Sequence, residues 1–555
     1  MLMAYSSEAD DLRPSEAAVE RARRAATSAG LTRQAFLRRS AGSVLGVTSL
    51  AAFLTACGSA GTAGTGSAAV GSPPAHPTGT LRIALPGAVD SLDPTIAESV
   101  GDLAIITSIF ESLVTFDAGY RALAPSLATR WHVSDDAREW VFTLRDGVRF
   151  HDGATFDASA VRKNFEYVLR PSDPYGFLFG TPVIDDSDPS VVRFTYKTPF
   201  PDLGHNLTLA SGISSPKVLG SHPAKADKQV ARQHVGTGPF RFVSERAGQS
   251  VTLAAFDGHW GEKPHIETLV FNVIPEESAR VSALQAGDVD LVLQVAPLAA
   301  RSLRSDPRLA VHESPSWSTA CLMPVCDMKP FDDPRVRQAM AYAIDRKTIV
   351  EKLLLGTAAL DDSMFPPGIQ GYHVPATAYA HDPQKARQLL KDAGYGGTVP
   401  VRMSVRSDAV LASEISQALV AQLNAVGFAT TSEVLDPAVF EADKSLPRPK
   451  YQLHWNEWGW VTGGPFHLTL GALAAQCHYR NPRYDALVAR VVVTPDGRAR
   501  ERLIADAIDV WANDVAWITL WVPKRLDASI ATLQHYQAPP NVFTKLGTSY
   551  ISGSA

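Results

Sequence analysis

Aromatic residues crowd into one stretch of the chain. Tyr451 to Pro465, YQLHWNEWGWVTGGP, holds Trp455, Trp458 and Trp460 together with Glu457 and the Gly463-Gly464 pair. Side chains alternate along an extended strand, so Trp458 and Trp460 share one face and Trp455 takes the other. Indole rings supply apolar contact to a ligand, and a glycine pair lets backbone approach it closely. The same rings would also fill the core of an α/β lobe, and both uses stay open at this level. Reactive chemistry is harder to find. The chain has no G-x-S-x-G, H-E-x-x-H, P-loop or C-x-x-C, so an enzyme would have to rest on an unrecognised site. His151 beside Asp152 reads as a turn next to a hairpin, because no second His or Cys stands at ligand spacing. His454, His467 and His478 lack convincing metal-ligand spacing as well, so no metal site is expected.

These residues need a scaffold, and Val235 to Val295 shows its style. Gly236-Thr237-Gly238-Pro239, whose glycines permit positive φ and whose proline fixes φ, predicts a sharp turn before Phe240. Phe240–Val243 and Val251–Leu253 read as strands around a Gly248 turn, and Leu269–Ile274 as a further strand. Glu276–Ala286 carries helical spacing stopped by Gly287, and Val289–Val295 starts another strand. Earlier, Leu81–Leu85 alternates like a first strand, Ile105–Leu113 is helical in pattern, and Asp157 is a good N-cap for a helix over 158–169. Later, Val336, Met340 and Ile344 are spaced by four, with Arg335 and Arg337 expected on a solvated face. Val399–Val405 and Ser413–Val426 continue the strand and helix alternation of an α/β lobe, and Trp517–Val522 is a last strand. With 555 residues the chain is too long for one core, which implies more than one lobe. A net charge of −5 with scattered charges gives no basic face for nucleic acid.

Several of these segments, in this order, resemble the extracytoplasmic solute-binding proteins of ABC importers, oligopeptide and dipeptide type (solute-binding family 5). They are Gly236–Phe240, Asp257-Gly258-His259-Trp260, Ile274-Pro275, Leu284–Asp290, Trp140–Gly153, Pro330–Arg346 and Asn481–Leu487. The resemblance implies an α/β, two-lobed periplasmic-binding-protein-like fold (class II, cluster C) with an extra subdomain inserted in the first lobe. Lobe I would comprise 78–120, 236–318 and 515–553, the inserted subdomain 121–235 and lobe II 319–514. It further implies ligand contacts from Trp458, Gly459, Trp460 and Val461, from Trp317 and Leu92 beside the cleft, and from Arg406 to a ligand carboxylate. No enzyme activity and no cofactor are implied. Peptide-binding members commonly place an aspartate just after the aromatic segment to pair with the ligand's α-ammonium. Here Thr462, Gly463 and Gly464 stand there instead, and a buried ammonium lacking a counter-charge is strongly unfavourable. Peptides are expected first, with an oligosaccharide or blocked peptide close behind.

The first 57 residues read as an export signal, with arginines at 21, 23, 24, 33, 38 and 39 before a weakly apolar stretch. Leu54-Thr55-Ala56-Cys57 resembles a lipobox, which would make Cys57 the lipidated mature N-terminus. Residues 58–77 are Gly, Ser, Ala, Thr and Pro with almost no charge, a flexible tether. Thr32–Arg38 resembles a twin-arginine motif with Gln34 in place of the second arginine, leaving the export route open. Cys321, Cys326 and Cys477 remain, and the first two have opposite strand parity, so no bridge is expected between them within one straight strand. The expected protein is a monomer, held by its lipid on the outer face of the cytoplasmic membrane. It takes a small-molecule or peptide ligand and docks on ABC permease subunits.

Overall fold

The computed structural model describes residues 73–553 except 98, 174, 210–211, 460–466 and 542. The export signal, Cys57, Trp460 and Val461 therefore lie outside the described residues.

Strand β1 (Thr78–Leu85) is followed by helix α1 (Val100–Ile109), whose Ser99 and Asp102 cap each other's backbone in a capping box. A four-stranded sheet comes next in the chain, built from β2 (Ala128–Val133), β3 (Glu139–Leu144), β4 (Val183–Asp188) and β5 (Val191–Thr195) in the order β2-β3-β5-β4. Helix α2 (Ala158–Val168) stands between β3 and β4, with the Asp157 carboxylate accepting from Ala160 N as its cap. This sheet falls inside the segment assigned to the inserted subdomain.

Strands β6 (Phe240–Arg246) and β7 (Ser250–Ala255) form the hairpin expected around Gly248, which takes φ +68°. Then come β8 (Ile266–Val273), α3 (Glu277–Ala286), β9 (Leu291–Val292), β10 (Leu309–Pro315) and β11 (Ser318–Pro324). The remaining part adds α4 (Pro334–Ala343), α5 (Pro383–Asp392), β12 (Val399–Arg406), α6 (Ala412–Ala425), β13 (Phe428–Leu435) and β14 (Leu453–Gly459). It ends with α7 (His467–Gln476), α8 (Pro482–Val493), α9 (Arg498–Asn513) and β15 (Ile518–Ile530).

One hydrogen-bonded path joins these strands in the order β13-β12-β14-β11-β15-β9-β1-β8-β7-β6, with β10 paired to β15 off the path. Strand β15 is the connector. Its first part pairs with β11 at Ile518, Thr519 and Trp521, and its second part pairs with β10 from Lys524 to Ile530. The sheet thus has two halves, each with its own apolar core. One core packs Leu81, Ile83, Ile105 and Phe271 with the inserted sheet's Phe142 and Phe194, and the other packs Leu322, Met340, Val401, Leu419 and Trp455. Both halves mix strand and helix, the two-lobed α/β arrangement the resemblance implies.

The Gly236–Pro239 turn does not use the positive φ its glycines permit; they are small because the loop lies on the end of α1. A Cβ on Gly236 would stand 2.1 Å from Ile109 O, and one on Gly238 2.6 Å from Ser108 O. Three other details depart from the sequence expectations. Helix α1 ends at Ile109 rather than near Leu113, since Ile109 O accepts from Gly238 N and Glu111 O from Ile213 N. The strand over 289–295 shrinks to two residues, because the Asp290 side chain turns to Arg82, taking its backbone N and guanidinium at 2.7–2.9 Å. Arg337 is buried rather than solvated, donating to Phe331 O at 2.7 Å and Asp514 O at 2.9 Å. Arg335 does face solvent, on Asp333.

Candidate ligand-binding site

Strand β14 sits between β11 and β12, pairing Thr319 with Trp458, Ala320 with Glu457, and Val405 with Trp455. Alternation along it divides the side chains as expected. Trp455 is fully buried among lobe II residues, whereas Trp458, on the other face, is half-buried against a third cluster that contains Trp317, Cys321 and Met323. Lys444 Nζ lies 5.6 Å from the Trp458 ring, within cation–π range. Gly459 ends the strand in an exposed position.

Glu457 is the charged group of this strand. Among the described residues it has no hydrogen-bond or ion-pair partner, and desolvation raises its pKa to about 7, with the Asp408 charge adding and Arg406 opposing. A half-buried carboxylate in that condition is suited to receive a cation.

Arg406 ends β12 with its guanidinium occupied. Nε and Nη2 donate to the two Asp408 oxygens at 3.0 and 2.8 Å, and Nη1 to Glu441 at 3.1 Å. A ligand carboxylate would therefore compete with two carboxylates already there. Trp317 stands at the step from β10 to β11, 3% exposed, with Phe116 and Tyr120 edge-on at ring distances of 5.0 and 6.0 Å. Leu92 is 4% exposed and belongs to the lobe I core. Its neighbour Asp93 is locked by Tyr167 Oη at 2.5 Å and by Thr95 at 2.9 Å. The structure thus places Trp458, Gly459 and Glu457 on one strand, brings Arg406 into electrostatic contact with Glu457, sets Trp317 at the junction and keeps Leu92 inside.

Two contributions had no signal in the sequence. Phe116 and Tyr120, which face Trp317, lie in a turn-rich segment of ordinary composition. Asp202 and Arg500, 298 residues apart, form a buried ion pair of 2.6 Å between the inserted segment and α9, with Asp496 also on Arg500 at 2.6 Å. His205 beside them is pulled down to about 4 by burial and so is neutral at physiological pH. Among the described residues no group of three or more His, Cys, Asp or Glu is arranged to hold a metal ion. Of the histidines singled out, His454 is buried 2.7 Å from Ser404 Oγ, its pKa lowered to about 3. The thiols of Cys321, Cys326 and Cys477 are free.

Known proteins agree with this architecture. The profile of bacterial extracellular solute-binding proteins, family 5, matches residues 122–476. The glutathione-binding protein GsiB of Pectobacterium atrosepticum is 28% identical, over 83% of this chain and 91% of that protein. Among solved structures, the periplasmic binding protein DppA from Helicobacter pylori, in complex with the peptide STSA, superposes with a TM-score of 0.74 at 24% identity, over 85% of this chain and 98% of that one. NikA from Brucella suis, in complex with Fe(III)-EDTA, gives 0.77 at 22% identity, over 86% and 100%. The structural neighbours share the two-lobed binding-protein fold, and the relatives bind substrates rather than transform them. The chain belongs to the bacterial extracellular solute-binding proteins of family 5, the extracytoplasmic receptors of ABC importers, and is not an enzyme.

Proposed function

We propose that the protein captures a small peptide between its two lobes and delivers it to an ABC permease in the membrane. The observation that carries the peptide reading is Glu457, a carboxylate without a partner among the described residues, next to Trp458 on β14 but on the Trp455 face of the strand. A peptide α-ammonium supplies the missing cation, and Glu457 replaces the aspartate that peptide-binding members carry after the aromatic segment. Trp458 and Gly459, with Trp460 and Val461 next in sequence, supply the apolar and backbone contacts, and Trp317 the wall at the lobe junction. Arg406 contributes by holding the position of Asp408 and Glu441 and by tempering the charge at Glu457, more than by direct grip on a ligand carboxylate. Similarity to a glutathione-binding protein supports a short peptide bearing several charges. Closure of the lobes around the solute selects the transport-competent form. Cys57 is the site of the lipid that anchors a monomer to the outer face of the cytoplasmic membrane.

A second reading has its own support. The Thr462-Gly463-Gly464 run has no acid, and a structural neighbour was solved with Fe(III)-EDTA, so an oligosaccharide or other non-peptide solute fits the aromatic strand too. Mass spectrometry of whatever the gently purified protein releases on denaturation decides between them. Short peptides or glutathione establish the first reading, and a glycan or another defined compound establishes the second. Small-angle scattering that shows no compaction with a verified ligand would count against lobe closure in either case.

A further inference from the structure

A cavity of about 350 Å³ opens on the lobe I side, and no residue of 319–514 lines it among the described residues, although its Phe116 and Tyr120 back onto Trp317. Its walls come from the end of α1, from Leu207, Thr208 and Gly212, from Trp260 and from the segment of Asn541, Phe543 and Lys545–Thr548. The volume lies at the lower end of what small-molecule sites occupy.

Three features of the wall point to an occupant. Lys545 is the cavity's one Lys or Arg among the described lining residues. Its ammonium donates to Thr115 Oγ1 at 3.1 Å and Phe116 O at 3.2 Å and has no carboxylate within ion-pair distance among the described residues. One N–H is left for something else; the ammonium also lies 5.4 Å from the Tyr120 ring, and desolvation lowers its pKa with the Asp117 charge opposing. The carboxylate of Glu111, the cavity's one acid among the described lining residues, cannot supply that charge. It already accepts from Thr237 Oγ1 and Trp260 Nε1 at 2.8 Å each and faces His259 Nε2 at 3.3 Å. The second feature is a pair of unspent polar groups in the wall. Ser108 and Asn541 are 2% and 6% exposed, yet Ser108 Oγ and Asn541 Nδ2 find no hydrogen-bond partner among the described residues. Buried polar atoms left in that state are uncommon and costly unless something outside the chain meets them. The third is an apolar lining from Phe110, Phe116, Phe543, Leu546 and Trp260.

We propose that this cavity is a second ligand site, separate from the strand of the cleft, which takes a small carboxylate with an aromatic or aliphatic body: the carboxylate on Lys545, the body against Phe116, Phe543 and Trp260. The inference does not depend on the nature of the cleft ligand.

Hippurate, an aromatic ring carrying one carboxylate, and hippuramide, its uncharged amide, test the proposal by calorimetric titration of the full chain. Hippurate is expected to bind at least tenfold more tightly than the amide. Lys545→Met should remove that preference, and Lys545→Arg, which keeps the charge, should retain it. Tryptophan indole resonances locate the site, because hippurate should move the Trp260 N–H signal and leave that of Trp458 in place. Equal affinity for acid and amide, no binding of hippurate, an unchanged Lys545→Met variant, or a shift at Trp458 in place of Trp260 would each overturn it. The solute that co-purifies with the protein reports on the cleft reading independently of all these outcomes.

Discussion

Trp455 and Trp458 differ by three positions and have opposite fates. Strand parity separates them, and that much was legible in the sequence; which face would be core and which would meet the lobe junction was not, because it depends on β11 and β12 lying on either side. Glu457 shows the same limit. Its identity and its place beside the tryptophans were plain, but its lack of a partner among the described residues follows from where Arg406 spends its guanidinium. With a folded pKa near 7 against an ordinary 4.5, Glu457 binds a proton in the folded state that the unfolded chain has already released. Its contribution to stability therefore falls as pH rises from about 4.5 to about 7 and is level above that. Binding of a ligand ammonium runs the other way, because it requires the ionised carboxylate. Affinity for a free-amino peptide should rise up to about tenfold per pH unit below pH 7 and flatten above it. Calorimetric titration across that range checks this, and Glu457→Gln should erase the slope and leave weak, pH-independent binding. A flat profile for the native protein would remove Glu457 from the ligand's ammonium.

At the scale of elements, the sequence was most readable where local chemistry sets a boundary. The cap at Asp157 and the helix-ending glycine after α3 fell where expected. It was least readable where a distant segment intervenes. Arg337 lies on a helix whose periodicity was correctly read, yet it turns inward because Phe331 O and Asp514 O need donors. The early end of α1 and the shortened β9 have the same kind of cause. Asp202 and Arg500 are an extreme case, since nothing local marks either residue. Their ion pair ties the inserted segment to α9 with both side chains buried, so it forms fully only when those elements are together. Removing one partner of a buried pair typically costs about 3–5 kcal/mol. Because Asp496 stays on Arg500, Asp202→Asn should cost less, on the order of 2 kcal/mol. If lobe opening separates the pair, that cost falls on the closed form alone, and ligand affinity should drop roughly 30-fold without any lost ligand contact. Adding Arg500→Met should restore part of the loss by removing the buried cation that has lost one of its two carboxylates. Affinities of the single and double variants that match the native protein would show that the pair survives opening.

The whole molecule turns on how few segments pass between the two halves of the sheet. Strand β15 runs through both, and β10 leads into β11 through Ser316 and Trp317. A family resemblance could indicate two lobes; that one strand of 13 residues would belong to both sheet halves appears only in the pairing. Near the crossing, Asp527 is fully buried and holds Arg525 Nε and Gln294 N at 2.8 Å and Tyr536 Oη at 2.7 Å. Its two oxygens tie β15 to two other segments, at Gln294 and Tyr536, so β15 is stiff on the lobe I side. Val522 and Pro523 pair with Ala359 and Ala358, and pairing to β10 starts at Lys524, so bending should concentrate where the partners change, at Pro523-Lys524, and in the companion segment at Ser316-Trp317. If the lobes close by rotation there, ligand addition should compact the protein, and a substitution that loosens the hinge should change the open population without touching the ligand. Small-angle scattering of the native protein, before and after addition of the solute it co-purifies with, should show a fall in radius of gyration. The variant Pro523→Gly gains backbone freedom in its open state and should start more expanded, compact to the same final size, and bind more weakly. If native and variant proteins have the same size in both conditions, the lobes are already fixed in one arrangement, and the receptor selects its ligand without closing on it.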